Sequence, residues 1–141
     1  MKTISEKDGF YFLTPTIIDW VDIFSRQTYR DILLDSIRFR QKNKGLRVHA
    51  WCLMSNHLHL IASAADGFNL AHAIRDLKRH TSVKVIKFLQ TDMQESRRLW
   101  MLERFALGNG KYLFWQPGNA VKLFTATRFL NKSSTIYIKI R

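Results

Sequence analysis

The sequence predicts an α+β fold of the ferredoxin-like kind, an antiparallel sheet built around a split β-α-β unit with helices packed on it. Three observations carry that expectation. Runs rich in aromatic and β-branched residues recur at Phe10 to Val21, Leu46 to Met54 and His57 to Ser63, as strands require. Segments of helical apolar periodicity follow the first and third of these runs. The resulting order is β-α-β-β-α with further β elements behind it. At 141 residues, 46% of them hydrophobic, the chain can build one real core but not two comfortable ones, so 1–141 reads as a single domain.

Taken in order, "FYFLTPTIIDWV" (Phe10 to Val21) is the first strand, blemished at Pro15, whose missing N–H marks an edge or a bulge. Ser25 is placed to cap a helix over Arg26 to Lys44, with Tyr29, Ile32, Leu33, Ile37 and Phe39 as its apolar face and Gly45 as its terminator. "LRVHAWCLM" and "HLHLIAS" are two strands joined around the turn formers Ser55 and Asn56. Asp66 and Gly67 break the chain, and Asn69 then caps a long helix whose Leu70, Ile74, Leu77 and Val85 face the core. A weaker helix is expected from about Thr91 to Ala106, followed by a loop at Gly108 to Lys111. The strand "YLFWQ", a "PGN" turn and a returning strand "AVKLFT" complete the pattern.

The 23 Lys and Arg against 11 Asp and Glu give a net charge of +12. A surplus of that size favours a polyanionic partner, nucleic acid first among them; the plainer alternative is a basic, well-solvated surface. The charge is patterned, because Arg75, Lys78, Arg79, Lys84 and Lys87 recur at helical spacing with only Asp76 against them. Arg75, Lys78, Arg79 and Lys84 are the candidate phosphate contacts. Trp115 and Gln116 are candidates to stack on and hydrogen-bond an unpaired base, with core packing an equal alternative for the tryptophan. The single Cys52 leaves no disulfide framework and no Cys-rich zinc knuckle. No run approaches the roughly 18 apolar residues of a membrane span, and "MKTISEKDGF" lacks the apolar block of a signal peptide, so a cytoplasmic location is expected.

The stretch "MSNHLHLI" (Met54 to Ile61) places two of the five histidines two residues apart. On a strand, His57 and His59 project from one face while Leu58 and Leu60 project from the other. Two imidazoles are half a metal site, and the open positions are what metal-assisted phosphoryl transfer needs. The bland alternative is two imidazoles packed on a partly exposed sheet face.

"GLRVHAWCLMSNHLHLIAS" resembles the HUH segment (His, hydrophobic, His) of the single-tyrosine transposases, particularly the REP-associated tyrosine transposases of the insertion-sequence 200/605-type superfamily. The resemblance extends upstream through "YFLTPTIIDWVDIFSRQTYRDILLDSIRF" and downstream through "LAHAIRDLKRHTSVKVI" and "FWQPGN". Its motifs cover about residues 9 to 124, and the family-like register continues to Asn131. It implies a small HUH nuclease domain, commonly a homodimer, that binds single-stranded DNA beside a hairpin. By that resemblance His57 and His59 hold one Mg or Mn ion. A tyrosine on a late helix then attacks the scissile phosphate, leaving a 5′-phosphotyrosine link and a free 3′-hydroxyl. The covalent link conserves the bond for rejoining, so no nucleotide cofactor is required.

The end of the chain departs from this pattern. Relatives continue with a helix resembling "FLNQKLDYIHKNPV", whose tyrosine is the nucleophile, whereas this chain reads "FLNKSSTIYIKIR" (Phe129 to Arg141). Codons can be chosen for Lys132 to Arg141 that, read in another frame, encode K-L-D-Y-I-H-K-N-P. A single-nucleotide deletion just after Asn131 is therefore expected, with 132–141 an out-of-frame tail. Tyr137 is then an accidental tyrosine, and the β-branched "STIYIKI" favours a strand over the expected helix. The contrary expectation is that Tyr137 still serves as nucleophile. An alternative to enzymatic activity follows directly, a module that binds single-stranded or hairpin nucleic acid without chemistry.

Overall fold

The computed structural model describes residues 9–118, 122–124 and 136–137. The N-terminal decapeptide apart from its last two residues lies outside the described part, as do 132–135 and 138–141 of the tail. Three antiparallel strands form the centre of the sheet: β1 (Phe10–Leu13), β2 (Leu46–Leu53) and β3 (Leu58–Ala64), with β3 between the other two. Helix α1 (Gln27–Asn43) connects β1 to β2, which is the split β-α-β arrangement, and α2 (Leu70–Thr91) follows β3. The element order after α2 is α3 (Arg98–Phe105), β4 (Ala106–Gly108), β5 (Lys111–Tyr112), β6 (Lys122–Phe124) and β7 (Ile136–Tyr137). Short β6 extends the sheet antiparallel to β1, and β7 lies parallel to β2 at the other edge.

The core follows from period. Leu58, Leu60 and Ala62 alternate inward from β3 beneath Tyr29, Leu33 and Ile37 of α1 and Leu70, Ile74, Leu77 and Val85 of α2. Asn69 caps α2 as expected, its Oδ1 accepting from His72 N at 3.0 Å. Gly45 ends α1 at φ +69°, and the Phe68 ring packs so close to its Cα that any side chain there collides.

Several elements differ from their expected form. The first strand stops at Leu13, because Pro15 cannot extend the ladder; Ile18–Trp20 and Ile23–Ser25 form 3-10 turns instead. Ser25 sits in the second turn, and the residue at the start of α1 is Arg26, with no side-chain cap. Phe39 is 50% exposed, whereas Arg40 is buried: the 3.6-residue period carries the stripe from Tyr29 through Leu33 and Ile37 to position 40. The helix expected from Thr91 is confined to Arg98–Phe105, since two turns, closed by Glu95 N donating to Asp92 O and Arg98 N donating to Glu95 O, come between it and α2. Among the described residues, "YLFWQ" and "AVKLFT" do not pair with each other. Tyr112 pairs back to Ala106 across a tight turn with Asn109 and Gly110 both at positive φ, and Lys122–Phe124 pairs with β1.

Candidate functional site

The site begins with a proline. Having left the ladder, Pro15 offers its carbonyl to Leu58 N at 3.0 Å, and Thr16 bridges to His57. The Ser55–Asn56 turn is pinned from two further sides, by Ile17 N donating to Asn56 O at 2.9 Å and Phe24 N donating to Ser55 O at 2.8 Å. This fixes the phase of β3. Leu58 and Leu60 enter the core, and His57 and His59 emerge together on the opposite face.

The two imidazoles converge. Their Nε2 atoms are 3.2 Å apart, with ring centroids at 4.7 Å and planes at 86°. Behind them, His57 Nδ1 meets Asn56 Oδ1 at 2.7 Å, and His59 Nδ1 lies 3.4 Å from Thr14 Oγ1. An amide oxygen can only accept, so His57 carries its proton on Nδ1 and turns the Nε2 lone pair toward His59. Burial, and then the neighbouring His59, push the His57 pKa below its ordinary value, which keeps the ring neutral at pH 7. Two imidazole nitrogens oriented from behind fit a divalent cation. Among the described residues no group of three or more His, Cys, Asp or Glu gathers that could hold one. The two imidazoles would by themselves supply two ligands to such an ion, and the remaining positions would fall to water or phosphate oxygens.

The other expected residues fall in different places. Arg75, Arg79 and Lys84 are exposed on α2, and Asp76 Oδ1 lies 3.3 Å from Arg75 Nε and 3.2 Å from Arg79 Nη2. Lys78 is not a free cation: its Nζ donates to Gln116 O at 3.2 Å and Gly118 O at 2.7 Å, and burial lowers its pKa to about 8. It ties the Gln116–Gly118 segment to α2. Trp115 is a core residue, 5% exposed, with its indole N–H donating to Thr81 Oγ1 at 2.9 Å; that ring offers no face to a base. Gln116 is half-buried, and its backbone N donates to Thr16 O at 2.7 Å. Tyr137 pairs through its backbone with Trp51, while the next residue of β2, Cys52, pairs with His59. Two strand spacings, ~10 Å, thus separate the Tyr137 and His59 backbones. Thr14, which backs His59, was not among the expected residues; a threonine one position before a proline carries no signal beyond its place opposite β3.

Comparison with known proteins agrees with this architecture. The family model described as "Transposase IS200 like" matches residues 20–124. A REP-associated tyrosine transposase solved bound to a REP hairpin superposes with a TM-score of 0.60 at 15% identity, over 92% of this chain and 64% of that one. This chain thus spans a little under two thirds of that protein's length. A putative transposase from Deinococcus radiodurans R1 superposes with a TM-score of 0.53 at 15% identity, over 96% of this chain and 98% of that one. No curated protein sequence is a significant match. The family model covers well over half of the chain, and the chain belongs to the IS200-like transposase family.

Proposed function

We propose that this chain binds single-stranded or hairpin DNA as a homodimer, and that His57 and His59 hold one Mg or Mn ion at a site built for DNA strand cleavage and rejoining. The observation that carries this reading is the convergence of two Nε2 atoms at 3.2 Å, each ring backed at Nδ1 by a side-chain oxygen. A core histidine pair needs no such common focus. The hairpin-bound relative supports the choice of DNA as partner, and the exposed Arg75, Arg79 and Lys84 supply charge for phosphates.

When bound, the ion supplies charge neutralisation at the scissile phosphate. The protein's own contribution is orientation: Asn56 and Thr14 hold the imidazoles, and the pinned turn holds Asn56. In the family's chemistry a tyrosine oxygen bonds to phosphorus as the P–O3′ bond breaks, leaving a 5′-phosphotyrosine and a 3′-hydroxyl that takes up a proton. The tail at 132–141 reads as out of frame, so we assign this polypeptide DNA binding and the metal pair without the family nucleophile. A second reading, with Tyr137 as nucleophile, rests on its backbone lying two strands from His59.

The test is a denaturing gel with Mn and labelled single-stranded DNA from hairpins flanking the gene. A covalent adduct that disappears in Tyr137→Phe would establish the second reading. An adduct appearing only when the tail is restored to "KLDYIHKNP" would establish an intact site lacking its nucleophile. No adduct from either form would leave a binding module.

A further inference from the structure

Beside the histidine pair stands a tryptophan with no core to fill. Trp20 is 59% exposed, and its ring centroid lies 6.1 Å from that of His57 at an interplanar angle of 76°. It is not a loosely placed surface residue. Trp20 N donates to Ile17 O at 3.1 Å, and Asn56 Nδ2 donates to Trp20 O at 3.3 Å, so the residue that orients His57 also anchors the tryptophan. Asp19 and Trp20 both adopt left-handed backbone, with φ of 54° and 56°, a conformation uncommon outside glycine, above all for a bulky residue. The fold holds a large aromatic face out to water, next to its metal-ligating candidates. Arg104 lies on the neighbouring helix, its Nη1 4.0 Å from Asp19 Oδ2 and its guanidinium 5.5 Å over the ring of Trp100, which is itself 46% exposed. Exposed indole faces with a guanidinium among them are the chemistry that single-stranded nucleic acids find, bases on the rings and phosphates on the cation.

We propose that Trp20 is a stacking platform for an unpaired nucleobase, the one adjoining the phosphate that reaches the His57–His59 pair. The proposal rests on the DNA-binding reading above and adds to it the residue that seats a base. A stacked base contributes regardless of its identity, so Trp20 contributes affinity and position rather than sequence selectivity. The partner is thus an extruded or single-stranded nucleotide; a paired base has no free face to offer.

Fluorescence anisotropy with labelled dT15, and with an oligomer of the same length made entirely of abasic deoxyribose phosphate, separates stacking from charge. For dT15, Trp20→Ala is expected to weaken binding about tenfold and Trp20→Phe to restore most of it; for the abasic oligomer, wild type and Trp20→Ala should bind alike. Equal losses on both oligomers would overturn the platform, as would no loss on dT15. A wild-type protein that binds neither oligomer would overturn the DNA-binding reading itself, and the platform with it. Should Trp20 instead be covered by a second copy, Trp20→Ala would shift the sedimentation coefficient toward monomer, and that result too overturns the proposal. Circular dichroism confirms that the exposed substitution leaves the fold intact.

Discussion

Tyr29 shows how much one hydroxyl can cost inside this core. It is 1% exposed, its Oη has no hydrogen-bond partner among the described residues, and burial, followed by the Glu95 and Asp92 carboxylates, raises its pKa to about 12. An unsatisfied buried hydroxyl destabilises by about 1–3 kcal/mol, so Tyr29→Phe is expected to hold or raise the melting temperature at pH 7. The pH dependence has a definite sign. Because the folded pKa lies above the unfolded value near 10, the stability tied to the neutral phenol is complete below pH 10 and is lost as pH rises toward 12. Melting curves of both proteins from pH 8 to 12 check this: the phenylalanine variant should lose less. At the same scale, His57→Ala or His59→Ala should each abolish Mn binding by titration calorimetry, whereas Thr14→Val should weaken it about 10-fold through the lost orientation of His59. The histidines were legible from sequence because period two is a local property. Lys78 was not: its two carbonyl partners lie 38 and 40 residues away, and nothing in a helical charge stripe distinguishes a clamp from a phosphate contact. Arg40 was missed for a related reason, since a charged residue on an apolar stripe reads as exposed until a partner such as Asp76 O at 3.1 Å is seen.

At the scale of elements, α2 was the most legible, since its Asn69 cap and its apolar stripe are both local and mutually consistent. The segment after Leu13 was the least legible. Its aromatic and β-branched composition argues for a strand, yet Pro15 ends the ladder and the chain instead makes two turns whose purpose is to pin the Ser55–Asn56 loop. The "YLFWQ" strand failed similarly: Phe114 and Trp115 are core residues of a connecting segment, held by an isolated bridge between Ile17 and Trp115 rather than by a hairpin. Helix α2 also carries an element-level prediction. Arg75, Arg79 and Lys84 lie on its solvent side, and each phosphate neutralised on a single strand contributes about 0.7 to the slope of log K against log salt. Replacing all three with Ala should therefore flatten that slope by up to about 2, measured with a single-stranded oligomer between 50 and 200 mM salt. The Asp76 carboxylate already engages Arg75 and Arg79, so Asp76→Asn should shift affinity the opposite way.

Across the whole molecule, the turn region before α1 and the start of α3 are joined by one buried carboxylate. Glu95 has a side chain with no exposed surface; its Oε2 is 2.7 Å from Arg26 Nε and its Oε1 3.0 Å from Arg97 Nε, and Arg97 reaches on to Asp22 at 3.0 Å across 75 residues of chain. That closure holds the Ile23–Ser25 turn, whose own Phe24 N donates to Ser55 O and so pins the loop of the histidine site. Burial alone would raise the Glu95 pKa, but the hydrogen bonds and charge of Arg97, with Arg26, outweigh it and hold the carboxyl below its ordinary value. A depressed folded pKa contributes stability that is present above the unfolded value and is lost as pH falls through the folded one. Glu95→Gln should therefore lower stability by about 2–4 kcal/mol at pH 7, because it leaves two guanidinium groups short of their counter-charge. Thermal melts at pH 7, 5, 4 and 3 give the check. The gap between wild type and variant should be widest at neutral pH and close toward acid, where the wild-type carboxyl is itself protonated; a gap unchanged by pH would assign Glu95 a packing role alone.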